Sequence, residues 1–175
     1  MLRLVKKLSD RQIEWRNDPD IQRWTRGSEL LSEEDQAKWL KRISQDPTVL
    51  MFGVEVEEKS KVPGMKKKPT IVGTAGLTSV SHIHKTAEFS LFIGPEYQRK
   101  GYGELALREL LNYGFKNLAL EVIYGETFED NPAWSLFQKL GFKETGRHRK
   151  RYFKEGRRLD AICFDMLRNE WLPSQ

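Results

Sequence analysis

Residues 98–103 read QRKGYG, setting Arg99 and Lys100 beside two glycines, Gly101 and Gly103, where a helical pattern opens. Unpaired backbone N–H groups and the positive end of the helix dipole converge at such a start and favour an anion. Glycines let a ligand approach the backbone closely, so the chemistry expected is the holding of a phosphate. The chain contains neither GxxxxGK[ST] nor a full GxGxxG, which argues against a kinase or a dinucleotide enzyme. Taken alone, the hexapeptide reads equally well as a polar helix entrance. Just upstream, KTAEFSLFIG alternates, with Phe89, Leu91 and Ile93 on one side and Glu88, Ser90 and Phe92 on the other. One face of that strand therefore carries a carboxylate.

Alternating strand and helix signals must position these residues. A short strand at residues 1–4 precedes LSDRQIEWRNDPDIQRW, where Ser9 is a candidate helix cap and NDP at 17–19 an interruption. LLSEEDQAKWLKRISQDP repeats the pattern with Ser32 as cap and Ala37, Leu40 and Ile43, with Trp39, as an apolar stripe. TVLMFGVEVE and TIVGTAGLTSV read as strands joined by EKSKVPGMKKKP, the segment expected to be most mobile. From Gly103, Leu107, Leu110, Leu111, Gly114 and Leu118 keep helical spacing, and ALEVIYGETF returns to strand character. NPAWSLFQKLGF is a short helix opened by Asn131-Pro132 and closed by Gly141. A hairpin turning near Glu155-Gly156 follows, with Ala161, Cys163 and Asp165 facing opposite Ile162, Phe164 and Met166. The expectation is one mixed α/β (α+β) domain over residues 1–175, a mostly antiparallel twisted sheet of about six to seven strands flanked by about four helices.

Composition narrows the partners. The 30 Lys and Arg against 25 Asp and Glu leave a formal charge of +5, which favours anionic ligands but is too dispersed to establish nucleic-acid binding. A single cysteine, Cys163, excludes an internal disulfide and reads as a small core residue. His82 and His84 alternate in SHIHK as if on one strand face, yet no Cys or carboxylate cluster completes a site, so no metal is expected. The charged start MLRLVKKLSDRQ contains no apolar run of the signal or membrane type, so the expected location is cytoplasmic, with no membrane partner.

In order along the chain, AEFSLFIGPEYQRKGYGELALRELLNYGF, LEVIYGETFEDNPAWSLFQKLGF and GRHRKRYFKEGRRLDAICFDMLRNEW closely resemble the acetyl-CoA-binding core of the GNAT N-acetyltransferase superfamily. QRKGYG matches the family's pyrophosphate loop, R/Q-x-x-G-x-G/A. EWRNDPDIQRW and SEEDQAKWLKRI resemble the branch typified by ribosomal-protein N-terminal acetyltransferases. The resemblance implies that strand 88–93 splays from strand 120–124, leaving a V-shaped gap for the pantetheine arm of acetyl-CoA. Backbone groups of Leu91, Phe92 and Ile93 would pair with that arm. Gln98, Arg99, Lys100, Gly101, Tyr102 and Gly103 would hold the pyrophosphate, and Asn131 and Ala133 the cofactor side of the next helix.

Acetylating an amine needs a neutral nitrogen, whereas a lysine-like amine has a reference pKa of about 10.4. Glu88 matches a family position for a base and substrate contact; its competing reading is a strand-end salt bridge. Glu126, in YGETF, is the second candidate. A backbone N–H near Phe92 would stabilise the thioester oxygen. Many family members carry a proton-donating tyrosine four residues before the GF pair, but here the position is Phe137, which packs and donates nothing. Tyr124, Ser135 or water are the substitutes, or the thiolate leaves unassisted at a reference pKa near 8.5. Trp24 follows RNDP, the acceptor wall of the resembling branch. The acceptor is a small-molecule or protein amine (protein N-terminus or amino sugar first, then polyamine or aminoglycoside), and the protein a monomer or homodimer. The alternative is a basic nucleic-acid-binding module that keeps the fold without the activity, with Phe137 as its best argument and the run GRHRKRYFKEGRR, where Tyr152 and Phe153 are available to stack, as its anionic-partner patch.

Overall fold

A computed structural model describes residues 2–27, 29–57 and 68–172. Among the described residues seven strands form one sheet: β1 (Leu2–Val5), β2 (Leu50–Val56), β3 (Thr70–Ser81), β4 (Thr86–Ile93), β5 (Val122–Phe128), β6 (Lys143–Lys154) and β7 (Arg157–Leu167). Their order is β1-β2-β3-β4-β5-β7-β6. β4 and β5 are parallel, and the other neighbours are antiparallel. The parallel pairing covers Thr86–Val122, Ala87–Ile123 and Glu88–Tyr124. Both strands then run on, β4 to Ile93 and β5 to Phe128, with no further pairing to each other among the described residues. This is the splay expected from the sequence, with the second strand running 122–128 rather than 120–124.

The helices are α1 (Gln12–Asn17), α2 (Pro19–Gln22), α3 (Glu33–Gln45), α4 (Tyr102–Asn112), α5 (Ala133–Leu140) and α6 (Arg168–Trp171). α4 buries Ala106, Leu107, Leu110 and Leu111 completely and packs across β1, β3 and β4. Each buried leucine contributes about 1.5–3 kcal/mol of transfer free energy, so α4 is pinned with its N-terminus at the end of β4. Phe89, Phe137, Phe142 and Phe164, with ring centroids 5.2 to 6.1 Å apart, hold α5 against β4 and β7. Gly141 closes α5 in the left-handed region, φ 101°.

Several sequence expectations shift. The opening strand is Leu2–Val5 rather than 1–4, and Met1 lies outside the described residues. Ser9 forms a turn before α1: its hydroxyl accepts from the Arg11 N–H at 3.1 Å, and the helix begins only at Gln12. The connection EKSKVPGMKKKP, expected to be mobile, lies outside the described residues over 58–67. Ser32 caps α3 as anticipated, in a reciprocal capping box with Asp35. The α3 stripe is not core, however: α3 has no buried residue among those described, and Leu40 and Ile43 line an open groove with Leu50, Met51 and Phe52. An amphipathic pattern defines an apolar face but not whether another layer covers it.

His82 and His84 share no strand face, because β3 ends at Ser81 and both lie in the turn before β4. Cys163 is half-buried on the sheet face opposite Ile162 and Phe164, not in the core, because strand alternation puts it with Glu126. The hairpin turns at Glu155 (φ 48°) and Gly156 (φ 78°), as expected. No described helix is long and apolar enough to cross a membrane.

Candidate active site

Two parts meet in one cleft of about 1070 Å³. The first follows the free end of β4. A single 3₁₀ turn, Pro95–Tyr97, leads into the loop, which reaches α4 through Arg99 (φ 58°) and Gly101 (φ 79°). Gly101 is the N-cap, and among the described residues no side chain caps the helix, so the first-turn N–H groups of α4 stay open toward the cleft. The glycine at 101 is required by its left-handed backbone. Gly103 is different: a Cβ there would meet only Leu136 and Ile93 side-chain atoms at 3.7 and 3.8 Å, ordinary contacts. The chain's own packing therefore does not demand glycine at 103, while the cleft it borders profits from bare backbone.

The basic residues of the loop divide their work. Arg99 borders the cleft. Lys100 turns back, donating to the Glu96 carbonyl at 2.9 Å and lying 5.4 Å from the Tyr97 ring centroid. The Gln98 side-chain amide donates to the Ile93 carbonyl at 3.0 Å, tying the loop to the end of β4. An open helix N-terminus, an unpaired strand edge over Leu91–Ile93 and a cleft-facing arginine together suit an elongated ligand with an anionic end. On the facing wall, Asn131 accepts from the Ala133 N–H at 2.9 Å and so caps α5, while Asp130 pairs with Arg157. Phe137 borders the cleft from within the phenylalanine cluster. The Ser135 hydroxyl is engaged with the Pro132 carbonyl at 2.8 Å.

The second part lies on the opposite sheet face, where the strands fork. Glu88 on β4 and Glu126 on β5 are largely buried, their side chains 20% and 15% exposed. The Arg26 guanidinium bridges them, hydrogen-bonded to Glu88 Oε1 and with its Nε 3.2 Å from Glu126 Oε1. Burial pulls the Arg26 pKa down, but the hydrogen bond to Glu88 and the charges of both carboxylates more than offset it, leaving it raised. The Tyr152 hydroxyl donates to Glu126, and Arg151 Nε stands 3.8 Å from that carboxylate. Burial, then the bond to Glu126, pushes the Tyr152 phenol up. Burial and the Glu88 charge raise Tyr124 similarly. The β6–β7 hairpin holds the segment that carries Arg26: Lys154 donates to the Gly27 carbonyl at 2.8 Å, and Arg23 pairs with Glu155 at 3.2 Å. Trp24 also borders the cleft, with the Arg23 guanidinium 5.3 Å from its ring centroid.

The fold thus brings Glu88, Glu126, Trp24 and the loop to one cleft, adds Arg26, which sequence reasoning did not single out, and sets Tyr152, read from the sequence only as an aromatic available to stack, behind Glu126. Tyr152 lay within the basic hairpin run, but nothing local distinguished Arg26 from other surface arginines. The fold also assembles a cluster the sequence did not reveal. Ligand atoms of Glu126, His148 and Cys163 lie within 4.8 Å of one another, where the guanidinium groups on Glu126 oppose a further cation.

The family model for the acetyltransferase (GNAT) domain matches residues 1–143. The chain is 33% identical over 103 residues to a spermidine N(1)-acetyltransferase of Vibrio cholerae, covering 58% of this chain and 60% of that relative. It therefore spans less than two thirds of that relative's length. A putative ribosomal N-acetyltransferase of Bacillus subtilis, YdaF, is 25% identical over 109 residues, 62% of this chain and 60% of the other. The fold matches the crystal structure of spermidine N-acetyltransferase from Vibrio cholerae in complex with CoA and spermine, with a TM-score of 0.83 at 25% identity over 98% of this chain and 97% of that one.

Proposed function

The chain belongs to the GNAT acetyltransferase family, and on that premise we propose that it transfers acetyl from acetyl-CoA to a primary amine of a small cationic acceptor, a polyamine such as spermidine. The observation that carries this reading is the pair of strand-borne carboxylates, Glu88 and Glu126, at the fork of β4 and β5, already engaging a cation. Spermidine acetyltransferases among the relatives support the polyamine class. The ribosomal-protein branch expected from the N-terminal segment is represented at the lower identity of 25%. The nucleic-acid alternative is not favoured: the family relatives act on amines, and part of the basic hairpin is paired within the chain, Arg147 with Glu144 and Arg157 with Asp130.

Acetyl-CoA, when bound, supplies an acetyl group activated as a thioester. The N–H groups at Gly101–Gly103 and the Arg99 guanidinium would hold its pyrophosphate, and the backbone groups of Leu91 and Ile93, on the unpaired side of β4, would meet its arm, whereas those of Phe92 pair with β3. Ala133 and Phe137 form the far wall. Glu88 takes the proton from the attacking amine, and Glu126 holds positive charge on the acceptor. The Phe92 N–H expected to meet the oxyanion is turned the other way: Gly94 donates to the Val72 carbonyl on β3, and strand alternation directs Phe92 to Thr74 of β3, so the N–H groups of Leu91 and Ile93 are the ones on the open side that would stabilise developing charge. Phe137 has no proton to give and Ser135 is engaged, so the thiol leaves as thiolate or takes its proton from Tyr124 or water.

The test is free-thiol release with acetyl-CoA and a panel of spermidine, an N-terminal peptide and an amino sugar. Turnover on spermidine is expected. Turnover confined to the peptide would move the acceptor to the ribosomal-protein class, and none on any amine would overturn the reading.

A further inference from the structure

We propose that Arg26 is an internal occupant of the acceptor-ammonium subsite, and that a cationic acceptor binds by displacing it from Glu88 and Glu126. The inference rests on the reading of those carboxylates as the acceptor side of the cleft. Their backbones are fixed in β4 and β5, whereas Arg26 lies on the irregular segment between α2 and α3. Its side chain is half exposed, against 20% and 15% for the two glutamates. The carboxylates are therefore the permanent site and the guanidinium the exchangeable partner.

Exchange conserves charge. Removing Arg26 alone would leave two largely buried carboxylates facing each other, which is costly; replacing it by an alkylammonium leaves the balance unchanged. Tyr152 keeps its hydrogen bond to Glu126 throughout. A neutral acceptor has no charge to exchange, so the device selects cations. It also silences the base: Arg26 occupies Glu88 Oε1, the oxygen that would receive the amine proton, until an acceptor takes its place. The tethers at Arg23–Glu155 and Lys154–Gly27 fix the backbone on either side of Arg26, while its own side chain is half exposed to solvent.

Calorimetric titration of the full chain with spermidine, comparing wild type with Arg26→Gln and Arg26→Ala, tests the inference without requiring turnover. An apparent Kd is weakened by the fraction of protein that is self-filled, so variants lacking the guanidinium should bind about tenfold tighter if about one molecule in ten is open. Melting curves like wild type confirm that each variant is folded. Unchanged or weaker binding by both folded variants, or no binding by any form, overturns the proposal. Tighter binding by the variants with no acetyl transfer by any form would sustain the occupant and overturn the acetyltransferase reading. Turnover with an unchanged Kd would do the reverse.

Discussion

Glu88 on β4 stands opposite Tyr124 on β5 in the last backbone pair before the two strands part. A carboxylate is thereby held at the apex of the fork, and the unpaired edge of β4 leads away from it toward the loop that opens α4. The two ends suit opposite charges: the apex a cation, the helix N-terminus an anion. A transferase joining a cationic acceptor to a phosphate-bearing donor needs that polarity across one cleft.

Replacing Glu88 by Gln should lower kcat by about 10²-fold or more, the usual contribution of a positioned base, while acetyl-CoA binding by calorimetry stays as in wild type. Glu126→Gln should act mainly on the acceptor KM. A kinetically silent Glu88→Gln would remove Glu88 from the role of base.

The two loop glycines should separate stability from binding. Gly101→Val forces a branched side chain into the left-handed region and should cost about 1–2 kcal/mol, read as a lower Tm. At Gly103 an added Cβ meets only ordinary contacts within the chain and the backbone is helical, so Gly103→Val carries no left-handed strain. It should melt near wild type yet bind acetyl-CoA at least about tenfold more weakly, a loss of about 1.4 kcal/mol. Undiminished acetyl-CoA affinity in Gly103→Val would argue against phosphate binding at this loop.

Phe137 borders the cleft and is 8% exposed, so Phe137→Tyr adds a hydroxyl to the cleft wall and tests whether that position can protonate the departing sulfur. The expected result is a gain in kcat, up to about 10²-fold if protonation of the thiolate is limiting. No gain, in a variant that melts like wild type, would indicate that the proton comes from another donor or is not needed.

Cys163 reports on Glu126. Burial, followed by the Glu126 charge, holds the thiol above its ordinary value, with Arg151 and the His148 backbone opposing. Less thiolate is present at pH 8 than for a free cysteine, so alkylation by iodoacetamide, followed by mass spectrometry, should be slow. Glu126→Gln removes one raising influence and should accelerate it. Slower or equal alkylation in that variant would show that the carboxylate does not act on the thiol.

Signals carried by local chemistry were readable in advance. Ser32 and Asp35 form their capping box because both partners sit within one turn, and Glu155-Gly156 turn the hairpin because glycine tolerates positive φ. The glycine-bearing turn into α4 was legible for the same reason, since Gly101, Gly103 and the start of α4 are contiguous. The errors came where a pattern needed a neighbour. The α3 stripe lacked a covering layer, the two histidines fell in a turn, and Cys163, correctly set opposite Ile162 and Phe164, lay outside the core because its face of β7 is shared with Glu126 of β5.

The sequence by itself determined the strand and helix order, the glycine-bearing loop that opens α4 and the presence of a carboxylate on β4, because each depends on residues within a few positions of one another. Only the tertiary structure decided that Glu88 meets Glu126, that Tyr152 braces Glu126 and that Arg26 fills the space between the carboxylates. Those contacts join residues as far apart as Arg26 and Glu126. They depend on where β4 and β5 stop pairing and on how the hairpin holds the segment after α2, which are matters of long-range packing that no local spacing encodes.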